Sequence, residues 1–131
     1  MKIVFLILTT FFLFIGCGQE ENEEISIIGQ WSLIKYEPGF SPTENYSLGT
    51  ILWTFYANNS VNVMIADVTE VSDGIPLNKS GNYSYSNTEN ELLLDHNERF
   101  KYERTSGGLI ISTFIGLSAD GIRITFSKIV E

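Results

Sequence analysis

Between residues 29 and 129 apolar and polar side chains alternate with a period of two, and short clusters of Gly, Asn, Asp, Ser and Pro interrupt the alternation. Period two is the signature of a strand with one face buried, because successive side chains point to opposite sides of the pleat. Helical periodicity is nearly absent. Eight strands are predicted, over 29–37, 50–57, 60–71, 79–86, 91–95, 99–105, 109–116 and 122–129. Pro38-Gly39 ends the first, Asn58-Asn59 turns the chain after the second, and Ser72-Asp73-Gly74 breaks the third. Ser106-Gly107-Gly108 and the run 118–121 supply later turns, and Ser41-Pro42 predicts a helical turn inside the loop before the second strand.

Short connections without a crossover helix favour antiparallel hairpins. A sheet of this many strands must hide its two edges, and curling until they meet does so. The expected fold is therefore all-β, an eight-stranded antiparallel up-and-down barrel. A two-sheet sandwich is the competing architecture. A barrel of that size is filled by its own side chains or holds one small ligand.

Alternation sorts the faces. Arg99, Lys101 and Glu103 share the polar side of the sixth strand, whereas Phe100 and Tyr102 share the other. The same parity directs Leu33, Trp53, Phe55, Val63, Tyr83, Tyr85, Ile111 and Phe126 inward. Arg104 continues the inward parity near a rim, where it suits an anionic head group. These eleven residues are the candidate ligand-binding set: an apolar interior with a few phenolic hydroxyls, suited to a small hydrophobic molecule. They are equally the set that would fill a closed barrel, since inward aromatics are core residues by default.

The chain begins Met1-Lys2, and Ile3 to Ile15 is apolar apart from Thr9 and Thr10, closing on Gly16-Cys17. That run falls short of the about 20 apolar residues a membrane-spanning helix needs, and has the length of a signal-peptide core. The order apolar-apolar-Gly-Cys resembles the lipobox of bacterial lipoproteins, with Phe14 where Leu is commonest in that family. The resemblance implies that Cys17 is diacylated with palmitate-like chains, that the preceding peptide bond is cut, and that the new amine is acylated. Cys17 is the sole cysteine, so no disulfide forms within one chain. Two or three acyl chains anchor a protein firmly where one does not. The expected division is a signal peptide over 1–16, a lipidated cysteine with an acidic tether over 17–26, and the barrel domain over 27–131.

Without Lys2 the mature chain keeps 7 basic against 16 acidic residues, a formal −9. No basic stripe is available to neutralise phosphates, which argues against nucleic acid as a partner. The tract GQEENEE after the cysteine is charged and should be solvated. It also resembles the acidic export signal of surface lipoproteins in Bacteroidetes-type bacteria, and Gly18 lacks the Asp that marks inner-membrane retention in enteric bacteria. The expected location is the outer membrane, lipid-anchored, with the cell surface open to it.

Gly29-x-Trp31 at the head of an eight-stranded meander resembles the lipocalin signature, and TFYANNSVNV, SGNYSYSNTENELLL and ITFSKI look like pieces of small lipocalin-like domains of bacterial lipoproteins. In lipocalins that Trp sits at the closed end, and a basic residue near the end of the last strand packs on it. In an up-and-down barrel the first strand begins where the eighth finishes. Lys128, late and of inward parity, is therefore the expected cation over Trp31, and Arg123, early and outward, is not.

Catalytic constellations are sparse. His96 is the only histidine, and with Asp95 and Glu98 it lacks the further His or Cys ligands of a zinc site. No G-x-S-x-G elbow or phosphate-cradling glycine motif is present. Neither an enzyme nor a cofactor is expected. Two readings of function remain: an envelope lipoprotein whose barrel binds a small hydrophobic molecule, or a side-chain-filled module that meets or inhibits an envelope protein.

Overall fold

The structure is a computed structural model and describes residues 26–96, 98–113 and 121–130. Cys17, the signal peptide and the acidic tether lie outside the described residues, as does the end of the seventh predicted strand. Nine strands follow in chain order: β1 (Gly29–Glu37), β2 (Glu44–Asn45), β3 (Ile51–Phe55), β4 (Ser60–Ile65), β5 (Gly81–Asn87), β6 (Glu91–Leu94), β7 (Glu98–Arg104), β8 (Gly108–Thr113) and β9 (Arg123–Lys128). All pairings are antiparallel, in the order β2-β1-β3-β4-β5-β6-β7-β8-β9, and β1 pairs with β9 as well as with β3. The closing seam runs from Trp31 opposite Lys128 to Glu37 opposite Arg123. Eight long strands thus form a closed antiparallel barrel, as alternation and short turns predict, and the sandwich is excluded.

β2 is the added piece. It pairs with Lys35 and Tyr36 at the end of β1, beyond the reach of β3, so these backbone groups gain a partner where the barrel wall would leave them bare. It takes the place of the predicted helical turn at Ser41-Pro42. The loop that follows folds onto β1: the Gly49 amide donates to Ser32 Oγ at 2.8 Å, which explains why an outward-facing serine is fully buried.

Strict alternation from Trp31 and Leu33 would put Lys35 inside. The register of β1 against β9 shifts between Leu33 and Lys35, so Leu33 opposes Phe126 and Tyr36 opposes Ile124. This β-bulge inserts one residue and returns an aromatic to the interior, where Tyr36 is buried. At the head of the same strand, Gly29 has φ of +130°, a conformation that favours glycine.

The third predicted strand stops early. β4 ends at Ile65, and the Thr69 amide donates back to the Ala66 carbonyl at 2.9 Å. Residues 66–80 then fold over one end of the barrel as a cap. Ile75 and Pro76 are buried in it, and Val71 and Leu77 pack on the core. The Tyr36 hydroxyl lies against Gly74 so closely that a side chain at that position would strike it. The other end, where β1 begins, is plugged by Ile27, only 1% exposed, whose carbonyl accepts the indole N–H of Trp31 at 2.8 Å. The core lies between these two plugs.

Candidate functional sites

The inward residues come together as one cluster. Leu33, Trp53, Phe55, Val63, Tyr85, Phe100, Tyr102, Ile111 and Phe126 are all buried, none more than 8% exposed, and Tyr83 and Arg104 are half-buried. They pack on one another. Trp53 and Phe126 have ring centroids 5.0 Å apart, and Phe55 meets Tyr85 edge-on at 4.9 Å, the geometries that ring quadrupoles prefer. The phenols that alternation assigns to a ligand are already engaged. Tyr85 donates to the Tyr56 carbonyl at 2.7 Å, Tyr83 to the Lys79 carbonyl at 2.7 Å, and Tyr102 to the Thr88 carbonyl. Asn87 Nδ2 in turn donates to the Tyr102 hydroxyl at 3.2 Å. Side chains fill the middle of the barrel.

At the Ile27 end the structure corrects one assignment. The cation over Trp31 is that of Arg104, whose guanidinium carbon lies 4.6 Å from the ring centroid. Lys128 is Trp31's cross-strand partner but is exposed. It sits two residues past Phe126, the last buried residue of β9, and its side chain is exposed. Arg104 ends β7 at the same end of the barrel and is still flanked by Leu109, which is buried. Parity directs both cations inward, but only Arg104 lies over the Trp31 ring, and Lys128 is exposed. Arg123 faces out beside Glu37, with nitrogen and oxygen 3.9 Å apart. Two of Arg104's donors, Nε and Nη1, are buried without a protein acceptor, as is Trp53 Nε1.

The far end carries a cleft of about 290 Å³ between the 66–80 cap and the β6–β7 turn. Asp73, Asp95 and Glu98 contribute three carboxylates to its wall, Lys79 one ammonium, and Ile75 and Leu94 an apolar floor. Three residues here or beside it hold positive φ: Leu77 at +53°, Asp95 at +49° and His96 at +63°. A leucine in that region is uncommon, and its backbone is held there by the cap. His96 is exposed on the turn, and among the described residues no three His, Cys, Asp or Glu side chains converge as metal ligands. Sequence reading took 66–71 as strand and so missed the cap. The signal was the apolar triplet Ile75-Pro76-Leu77 inside an otherwise polar loop.

Burial pushes the hydroxyls of Tyr36, Tyr46 and Tyr85 above the ordinary phenol range, and for Tyr46 the hydrogen bond to Glu44 at 2.9 Å adds to it.

No protein-family model matches the chain, and no curated protein matches it. Among solved structures, the chain is similar to the crystal structure of an uncharacterized protein from Bacteroides eggerthii DSM 20697. The two are 13% identical, and the match covers 79% of this chain and 100% of that one with a TM-score of 0.54. At that identity the likeness concerns the fold.

Two outcomes follow. Arg104→Ala removes the cation and its alkyl stem from Trp31 and should cost about 1–2 kcal/mol, whereas Lys128→Ala should stay within about 0.5 kcal/mol. Thermal melts of the two variants check this, and equal shifts would contradict it. For the tyrosines, the folded state holds protons that the unfolded chain releases near pH 10, so their stabilisation is complete below that value and is lost as pH rises through the folded values. Melting temperature should fall steeply above pH 10. Phenolate absorbance should show Tyr36, Tyr46 and Tyr85 ionising late, and early ionisation of all six tyrosines in the folded protein would contradict it.

Proposed function

We propose that this chain is an envelope lipoprotein, anchored in the outer membrane through acylated Cys17, whose lipocalin-like barrel acts as a rigid interaction module. The single observation that carries the module reading is the packed interior. With nine candidate residues buried and three phenols engaged with backbone carbonyls, capture of a hydrophobic molecule in the barrel is less favoured than presentation of a surface. Support for the anchor comes from the sequence Leu13-Phe14-Ile15-Gly16-Cys17 and the acidic tract behind it.

The tether joins the barrel at the Ile27 end, and antiparallel order places the cleft of Asp73, Asp95 and Glu98 at the opposite end. A barrel held by its plugged end offers the other end to whatever approaches the membrane. Three carboxylates against one lysine, over an apolar floor, suit a partner segment that carries a basic side chain next to an apolar one. A cap whose backbone is fixed in advance lowers the cost of ordering on contact.

The test has two readouts. Cys17→Ser should move the protein from the membrane fraction to the soluble fraction and abolish labelling by a palmitate analogue; an unlabelled wild type would defeat the anchor. The barrel released from its anchor, examined by native mass spectrometry, should show the bare polypeptide mass and no saturable uptake of an aliphatic fluorescent probe. A co-purifying hydrophobic molecule would defeat the module reading and restore the carrier. Basic peptides should bind the wild type and lose at least tenfold in affinity on Glu98→Lys.

A further inference from the structure

The outer wall of the barrel at the Ile27 end carries a groove of about 460 Å³, lined by Gly29, Gln30, Thr54, Tyr56, Lys128 and Ile129. Register explains why these residues meet. Gly29 opposes Phe55, Trp31 opposes Lys128, and the Ile129 amide donates to the Gln30 carbonyl at 3.0 Å, so the ends of β9, β1 and β3 lie side by side. Trp31 and Phe55 are buried, so Gln30 and Thr54 between them face out, and Gln30 Nε2 donates to Thr54 Oγ1 at 3.4 Å. Two residues nearer the rim, Ile28 continues from Gln30 and is 50% exposed, and Tyr56 continues from Thr54 and is 48% exposed. Val130, 84% exposed, follows Ile129.

The charge at this end is sparse. Residues 57–59 and 105–107 carry none, and 88–90 carries only Glu89. Carboxylates stand at the other end, with Asp67, Glu70 and Asp73 in the cap and Asp95 and Glu98 at the β6–β7 turn. Aliphatic side chains and a phenol beside one ammonium are the make-up of a membrane–water interface. There a tyrosine ring lies at headgroup depth, and a lysine stem follows apolar surface while its charge stays in water. The segment that precedes the described residues also joins the barrel here. Residues 17–26 reach about 35 Å at most when fully extended, so an anchor at Cys17 holds this rim close to lipid, and weak apolar contact is then enough to seat it.

We infer that this rim rests on the bilayer, with Ile28, Tyr56, Ile129 and Val130 in the interfacial layer and Lys128 at the level of the phosphates. The surface it fits is zwitterionic, because the acidic tether would be repelled by anionic headgroups. The inference rests on the lipid anchor proposed above and adds an orientation to it. The cleft of Asp73, Asp95 and Glu98 is turned away from the membrane, where a tether alone would let the barrel tumble.

Hydroxyl-radical footprinting read by mass spectrometry tests this on the acylated full chain in phosphatidylcholine–phosphatidylethanolamine vesicles. The reference is the Cys17→Ser chain left in solution beside the same vesicles. Oxidation of Tyr56 relative to Phe40, which is 77% exposed and remote from the groove, should fall at least threefold on the vesicles, while Met64 relative to Phe40 stays unchanged. Ile28→Glu combined with Val130→Glu, both at exposed positions, should return Tyr56 to the oxidation seen in solution without altering the circular dichroism or the flotation of the chain with vesicles. A chain that floats with its vesicles yet shows Tyr56 as reactive as in solution would overturn the seat, leave the anchor standing and assign the groove to a protein partner. A chain that does not float would overturn the anchor and the seat together. Unchanged protection of Tyr56 in the folded double variant would overturn the seat as well.

Discussion

The hydrogen-bonded seam between β1 and β9 is the constraint on which the rest depends. Without it the meander would be an open sheet with two bare edges and a long apolar face. With it, residues from all eight long strands point toward one axis, and their spacing is fixed by register instead of by loops. Trp31, Leu33 and Tyr36 on one side of the seam and Ile124 and Phe126 on the other are buried because the seam exists. The two plugs, Ile27 below and the 66–80 cap above, then close the ends that a short barrel leaves open.

Much of this could be read from the chain. Alternation in β7 sorts Phe100 and Tyr102 from Arg99, Lys101 and Glu103, and burial follows that sorting. The eight strands and their order follow from the turn residues. What alternation could not carry is any feature that breaks its own period. The bulge after Leu33 flips parity so that Tyr36 and not Lys35 points inward, and nothing in a period-two count marks where such an insertion falls. β2, two residues long, is too short to leave a pattern. The cap reads as strand until its backbone is seen to turn at Ala66.

The exchange of Lys128 for Arg104 shows the same limit on the site. Both residues have inward parity at the same end of the barrel, and one-dimensional pattern cannot weigh them. The difference is three-dimensional: Arg104 lies over the Trp31 ring, whereas Lys128, although it pairs with Trp31 across the seam, is exposed. A consequence is that a partly exposed guanidinium packs on the core at the Ile27 end, while Asp73, Asp95 and Glu98 line the cleft at the opposite end.

Closure itself is open to direct observation by nuclear magnetic resonance of the folded chain. Pairing of Ile129 with Gln30 makes Trp31 and Lys128 the adjacent close-approach pair, so their α-protons should show a strong cross-strand contact. The amides of β9 should then exchange with solvent as slowly as those of β3 and β4. Absence of that contact, together with β9 amides exchanging at the rate of an unpaired edge, would contradict the closed barrel and everything placed inside it.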